Sequence, residues 1–239
     1  MSAQERPLAD LLSRDGGDPL RADRLVGLLA QALELRDERT GLHSRRMSCL
    51  AGLIACKLGL GKECCDAIRL TSLLHDIGKL AVPDRILLKP GPLTKAQRAV
   101  VERHPLVGYE LLAGSGSSLL DTAAVVALTH HERFDGGGYP RRLARFQIPL
   151  EGRIAAVADV FDALITDQPY RPRLSVDEAV ATIRRGSGSR FDPEVIDAFL
   201  GSLDEALQVY ADTGSAEARA ARPVRRSALG GSDGEGRLQ

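Results

Sequence analysis

The sequence predicts an all-α fold, and three observations carry that prediction. Period-2 alternation of apolar and polar residues, the mark of a half-buried strand, is nearly absent. Helical periodicity recurs instead: Leu25, Leu28, Leu29, Ala32 and Leu33 fall at i, i+3, i+4, i+7 and i+8, one face of a helix. Two further stretches carry the chemistry of helix starts. Ser175 with Glu178 makes a capping-box pattern, and in FDPEVI Asp192 can cap, Pro193 suits the first helical position and Phe191 can staple against Ile196.

The elements follow in order. After the helix around 25–33, Met47, Leu50, Ala51, Ile54 and Leu58 form a second apolar face that ends before Gly59. A third helix is expected over about 63 to 77, stopping at Gly78 as a C-terminal cap. Residues 84–94, with two prolines and a glycine, read as a connection. Helices are expected near 95–113, 120–132 and 151–165, followed by those starting at Ser175 and Asp192. The resulting organisation is an N-terminal extension over 1–21, one helical domain over 22–202 and a tail over 203–239. The end of that tail, GSAEARAARPVRRSALGGSDGEGRLQ, is small, charged and aromatic-free, which predicts flexibility.

Composition narrows the class. The 239 residues are 44% hydrophobic and 27% charged with a formal net charge of zero, so nothing at whole-chain level points to a nucleic-acid polymer or an anionic membrane. The sequence contains no apolar run of bilayer length and no signal-peptide pattern at its start, so the expectation is a cytoplasmic protein that does not span a membrane. The four cysteines, Cys49, Cys56, Cys64 and Cys65, form no CxxC pair and read as small apolar side chains in a reducing compartment.

The five histidines carry the chemistry. His43 shares a helical face with Met47, Leu50 and Ile54, and His75 shares one with Ile68 and Thr71. His104 lies in ERHPLVGYELL, and His130 and His131 close the apolar run DTAAVVALT. Any one of these alone reads as a hydrogen-bonded core residue. As a set they point elsewhere, because each buried neutral ring needs both a donor and an acceptor. Two acids share the apolar setting: Asp76 directly follows His75, and Asp159 sits in RIAAVADVFDALI. Burying ionised carboxylates costs several kcal/mol unless a cation compensates. Imidazole and carboxylate without thiolate suit iron, manganese or zinc, and seven ligands suit two ions sharing a carboxylate. Such pairs clamp the attacking and leaving oxygens of a phosphoester displacement.

In order and spacing, LLHDIGKLAVPDRILLKPGPLT, HPLVGYELL, HHERFDGGGYP, IPLEGRIAAVADVFDALITDQPYR and GSGSRFDPEVIDAFL resemble the HD-GYP family, from His43 to Leu200. The resemblance implies a single HD-type helical bundle with a GYP loop, acting as a phosphodiesterase on cyclic di-GMP. It implies two divalent metal ions, iron or manganese, held by His43, His75, Asp76, His104, His130, His131 and Asp159, with Asp76 bridging. Asp76 and Lys79 would be catalytic, Lys79 meeting charge that builds on the phosphate. Gly138, Tyr139, Pro140 and Arg171 would contact substrate, Tyr139 through its ring face. The product would be pGpG, with a second cleavage to GMP open.

The chain also departs from the family pattern. Arg39 stands where some members carry an acidic ligand for a third metal, which favours two ions, and Gln168 stands where many relatives carry Arg. Two other readings stay open: an effector that binds cyclic di-GMP or engages diguanylate cyclases through the GYP loop, and a phosphohydrolase for another nucleotide. A homodimer is compatible with all of them.

Overall fold

The computed structural model describes residues 19–36, 38–167 and 172–220, with side chains described over 22–36, 42–167 and 172–211. Eleven α-helices make up the described chain: α1 (Pro19–Arg36), α2 (Glu38–Lys57), α3 (Lys62–Ser72), α4 (Asp84–Leu87), α5 (Lys95–Val101), α6 (His104–Leu112), α7 (Ser118–Thr129), α8 (Leu150–Ile165), α9 (Val176–Arg185), α10 (Pro193–Gly201) and α11 (Leu203–Ala220). No strand is present among the described residues, only an isolated bridge between Ser187 and Phe191. The all-α expectation is met. No described helix is long and apolar enough to cross a membrane.

Two apolar clusters organise the bundle. One gathers Met47, Leu50 and Ile54 of α2 with Ile154, Val157 and Phe161 of α8, and extends to Ile183, Val195 and Phe199. The other joins Val26 and Leu33 of α1 to Leu74, Ile77, Leu112 and the apolar face of α7. Complete burial of Met47, Ile54 and Phe161, each 0% exposed, is worth about 1.5–3 kcal/mol per side chain. The capping predictions hold: Ser175 and Glu178 form a reciprocal box, and the Asp192 carboxylate accepts from the Glu194 amide at 3.0 Å.

Four expectations need correction. The third helix stops at Ser72, and Ile77–Ala81 is a 3-10 turn with Gly78 inside it. A Cβ at Gly78 would lie 1.9 Å from the His104 carbonyl oxygen, so glycine is there to let this turn press on α6, not to cap a helix. The helix expected over 95–113 is broken into α5 and α6, because Pro105 suits a helix start and removes the amide that would continue α5. The connection at 84–94 contains the one-turn α4. The tail expected from residue 203 begins with α11, where Ala206 is fully buried and the Tyr210 ring meets Phe161 edge-on at 6.1 Å.

The cysteine reading is also corrected. Cys65 is buried, but Cys56 is exposed, and the two sulfurs are joined as a disulfide across the α2–α3 turn with Cα atoms 5.5 Å apart. Cys49 and Cys64 are free and half-buried.

Candidate metal centre

Five separate elements deliver the predicted ligands to one place. His43 projects from α2 and Asp159 from α8. His75 and Asp76 leave the tight turn after α3, where backbone bonds from Leu74 to Thr71, Ile77 to Leu74 and Lys79 to Asp76 keep successive peptides close to 3-10 geometry. His104 opens α6. His130 and His131 follow the last turn of α7, where the chain bends away and both rings can face inward. Their ring centroids are 4.0 Å apart. Two donor sets result, His43–His75–Asp76 and Asp76–His104–His130–His131, each with its donor atoms within 4.8 Å of one another. Asp76 belongs to both. Asp159 adjoins the first set, its Oδ1 3.2 Å from His43 Nε2.

The hydrogen bonds around the rings assign their protons. His75 Nδ1 faces the Ser72 carbonyl at 2.9 Å, His104 Nδ1 the Val101 carbonyl at 2.7 Å, and His130 Nδ1 the Ala127 carbonyl at 2.9 Å. Each is the carbonyl three residues back. A carbonyl only accepts, so Nδ1 carries the proton and a neutral ring turns its Nε2 lone pair inward. His104 Nε2 and His130 Nε2 then lie 3.3 Å apart, and Asp76 Oδ1 is 3.2 Å from the first and 3.7 Å from the second. His75 Nε2 and Asp76 Oδ1 are buried without a hydrogen bond. Converging lone pairs with orphaned acceptors repel one another unless a cation lies among them. The donor set therefore fits divalent metal ions, and its mix of imidazole and carboxylate fits iron, manganese or zinc.

Electrostatics agree with that reading. Burial opposes ionisation of Asp76, but the Lys79 ammonium outweighs it and holds its carboxyl well below the usual range. Burial lowers His130, and burial with the His130 neighbour lowers His131 further, so both rings are neutral and ready to ligate. His43 behaves oppositely. Burial would lower it, yet hydrogen bonds to Asp159 and Asp162 prevail and raise it to about 10. Lys79 Nζ sits 2.5 Å from Asp76 Oδ2, and Arg36 steadies the turn behind it by donating to the Lys79 carbonyl at 2.9 Å and to Asp84 at 2.7 Å.

The loop over 132–145 covers one side of this cluster. Glu132 accepts from the amides of Arg141 at 2.7 Å and Leu143 at 3.0 Å, tying the two ends of the loop together. Phe134 and Asp135 donate to the Arg190 and Ser189 carbonyls, which pins the loop to the turn before α10. A Cβ at Gly138 would come within 2.4–2.6 Å of backbone atoms of residues 131–133, so the close approach there requires glycine. The Tyr139 ring lies on His131, centroids 4.7 Å apart and tilted 34°, and Pro140 follows through a cis bond. Arg171 and Gln168 lie outside the described residues, and the side chain of residue 39 does too.

Several partners escaped the sequence reading. Asp162 is fully buried, bonds His43 Nδ1 at 2.7 Å, and receives Arg46 Nε at 2.8 Å. Asp162 lies three residues beyond Asp159, and Arg46 three beyond His43; that i, i+3 echo was the available signal. Glu132, directly after the histidine pair, and Arg36 gave none.

An HD domain model matches residues 27–195. The chain is 47% identical over 199 residues to the cyclic di-GMP phosphodiesterase response regulator RpfG of Xanthomonas campestris, covering 83% of this chain and 53% of that protein. It is 38% identical over 187 residues to the 3'3'-cGAMP-specific phosphodiesterase 2 of Vibrio cholerae, covering 78% and 36% respectively. Among solved structures, Bd1817, an HDG"Y"P protein from Bdellovibrio bacteriovorus, superimposes with a TM-score of 0.55 at 21% identity, over 68% of this chain and 51% of that one. The chain thus spans about half, or less, of the length of these relatives.

Proposed function

Because the chain belongs to the HD domain family, we propose that it is a metal-dependent phosphodiesterase that opens cyclic di-GMP to linear pGpG. The observation that carries the reading is Asp76, whose carboxylate is shared by both donor sets. His43, His75, Asp76 and Asp159 would hold one divalent ion, and Asp76, His104, His130 and His131 the other. When bound, the pair supplies an activated water at neutral pH and positive charge for the phosphoryl oxygens.

The chain's own residues do the rest. The backbone carbonyls behind His75, His104 and His130 fix the three rings in the ligating tautomer before any ligand arrives. Lys79 holds an ammonium beside Asp76, where negative charge develops as water attacks phosphorus in line and the 3′ oxygen departs. Glu132 shapes the loop that carries Tyr139 to the rim, and the exposed part of that ring is available to a guanine.

The test is turnover by anaerobically purified protein with metal content measured on the same sample. About two ions per chain and pGpG as product is the expected outcome. Two ions without turnover of any cyclic dinucleotide would replace the enzyme with an effector. The relationship to a 3'3'-cGAMP phosphodiesterase favours one second reading, so that dinucleotide belongs in the same assay as a competitor. A kcat/KM for 3'3'-cGAMP above that for cyclic di-GMP would reassign the substrate.

A further inference from the structure

His43 is held differently from three of its neighbours in the centre. His75, His104 and His130 each anchor Nδ1 on the carbonyl three residues back, so their orientation is set locally by backbone. His43 anchors Nδ1 on Asp162, which lies on another helix 119 residues away in sequence. Its orientation is only as fixed as that carboxylate. Asp162 is gripped in turn by Arg46, through Nε at 2.8 Å and a second nitrogen at 3.2 Å. The Arg46 guanidinium lies over the ring of Tyr210, 5.7 Å from its centroid.

Tyr210 belongs to α11, beyond the residues that the HD domain model matches. Its hydroxyl oxygen is sealed from water and lies beside the Asp162 carboxylate without completing a hydrogen bond to it. Its ring meets Phe161, the residue before Asp162, and α11 packs along α2, the helix that carries both His43 and Arg46. A buried hydroxyl next to a buried carboxylate, under a guanidinium that grips the same carboxylate, leaves Asp162 little freedom to turn.

We infer that α11 is a working part of the metal centre, with Tyr210 a positioning residue that acts through Arg46 and Asp162 on His43. This rests on the metal centre proposed above. The effect is one-sided: the His43 donor set depends on α11, whereas the other set, with His104 and His130 anchored on backbone carbonyls, does not.

The experiment titrates metal-free full-length protein with Mn2+, reading free Mn2+ by electron paramagnetic resonance, with no substrate present. Wild type should bind two ions. Tyr210→Leu should weaken one of the two steps by about tenfold or more, the range for losing an outer partner of a ligand, and leave the other unchanged. Asp162→Asn should weaken the same step. In a His43→Ala background Tyr210→Leu should have no further effect, since the ligand it acts through is gone. If Tyr210→Leu does not fold, Tyr210→Met fills the same site without a ring for the Arg46 guanidinium to lie on and must still weaken that step. Unchanged affinities in the folded variant, or equal weakening of both steps, would overturn the inference. A wild-type protein that binds no Mn2+ would instead overturn the metal centre itself.

Discussion

At the scale of single residues, Asp76 and His43 do opposite things with protons. Asp76 is ionised because the Lys79 ammonium beside it outweighs burial. Replacing it with alanine removes the shared carboxylate and leaves Lys79 without that counter-charge. Asp76→Ala should therefore lose metal and turnover together, with metal content below about one ion per chain by elemental analysis. Activity with a full metal complement would sink the shared-carboxylate assignment. His43 in the metal-free protein is raised to about 10, so at neutral pH it is a cation held between Asp159 and Asp162. Folding then favours its proton. That contribution to stability is complete below the unfolded value of about 6.5 and is lost as pH rises through about 10. A metal ion needs the neutral ring, so uptake on the His43 side must expel that proton. Calorimetric Mn2+ titrations near pH 7.5, in buffers of different ionisation enthalpy, should show about one proton released, and His43→Ala should abolish the release. A buffer-independent heat would mean the ring is already neutral.

Among the elements, the 3-10 turn and the loop over 132–145 are where geometry is most demanding. Gly78→Ala would drive a methyl group into the His104 carbonyl and the Gly108 amide, backbone that cannot step aside. The expected cost is about 2–4 kcal/mol by denaturant unfolding. Gly27→Ala on α1, where a Cβ meets nothing within 4 Å, should gain up to about 1 kcal/mol. Equal effects at the two positions would show that the turn does not press on α6. Glu132→Ala leaves the amides of Arg141 and Leu143 without their carboxylate. Each such bond to a charged group is worth about 1.5–3 kcal/mol, so the loop should loosen and KM for cyclic di-GMP rise about tenfold at unchanged metal content. Helix existence was legible in the sequence wherever apolar residues kept a 3.6 period, as in α2, or a cap announced a start, as in α9 and α10. The break between α5 and α6 was misread because apolar spacing continues through 95–113 while Pro105 interrupts the hydrogen bonds, and periodicity reports only the first.

Across the whole molecule the same distinction separates what was legible in the site from what was not. The seven proposed ligands stand out because histidine and aspartate on apolar faces are anomalous in themselves, and a motif order ties them together. Asp162, Arg46 and Tyr210 are ordinary residues on ordinary helices; what makes them matter is a set of distances between α2, α8 and α11 that no local pattern encodes. α11 falls in the stretch expected as tail because its burial depends on a surface built by the rest of the chain and not on a local pattern. That architecture has a thermodynamic consequence. The donors come from α2, the turn after α3, α6, α7 and α8, and those elements belong to both apolar clusters. Unfolding either cluster disperses both donor sets, so metal binding is linked to the folding of the whole bundle. An ion at about 100 times its Kd stabilises the native state by about 2.7 kcal/mol, and a chain of this size gains about 2–4 °C in Tm per kcal/mol. Two such ions predict that chelation lowers Tm by roughly 10–20 °C in one cooperative transition, and that Mn2+ restores it. Calorimetry with and without chelator decides the matter. A Tm indifferent to metal would mean the histidine cluster is satisfied without ions, and a transition that splits on chelation would mean the two clusters fold apart.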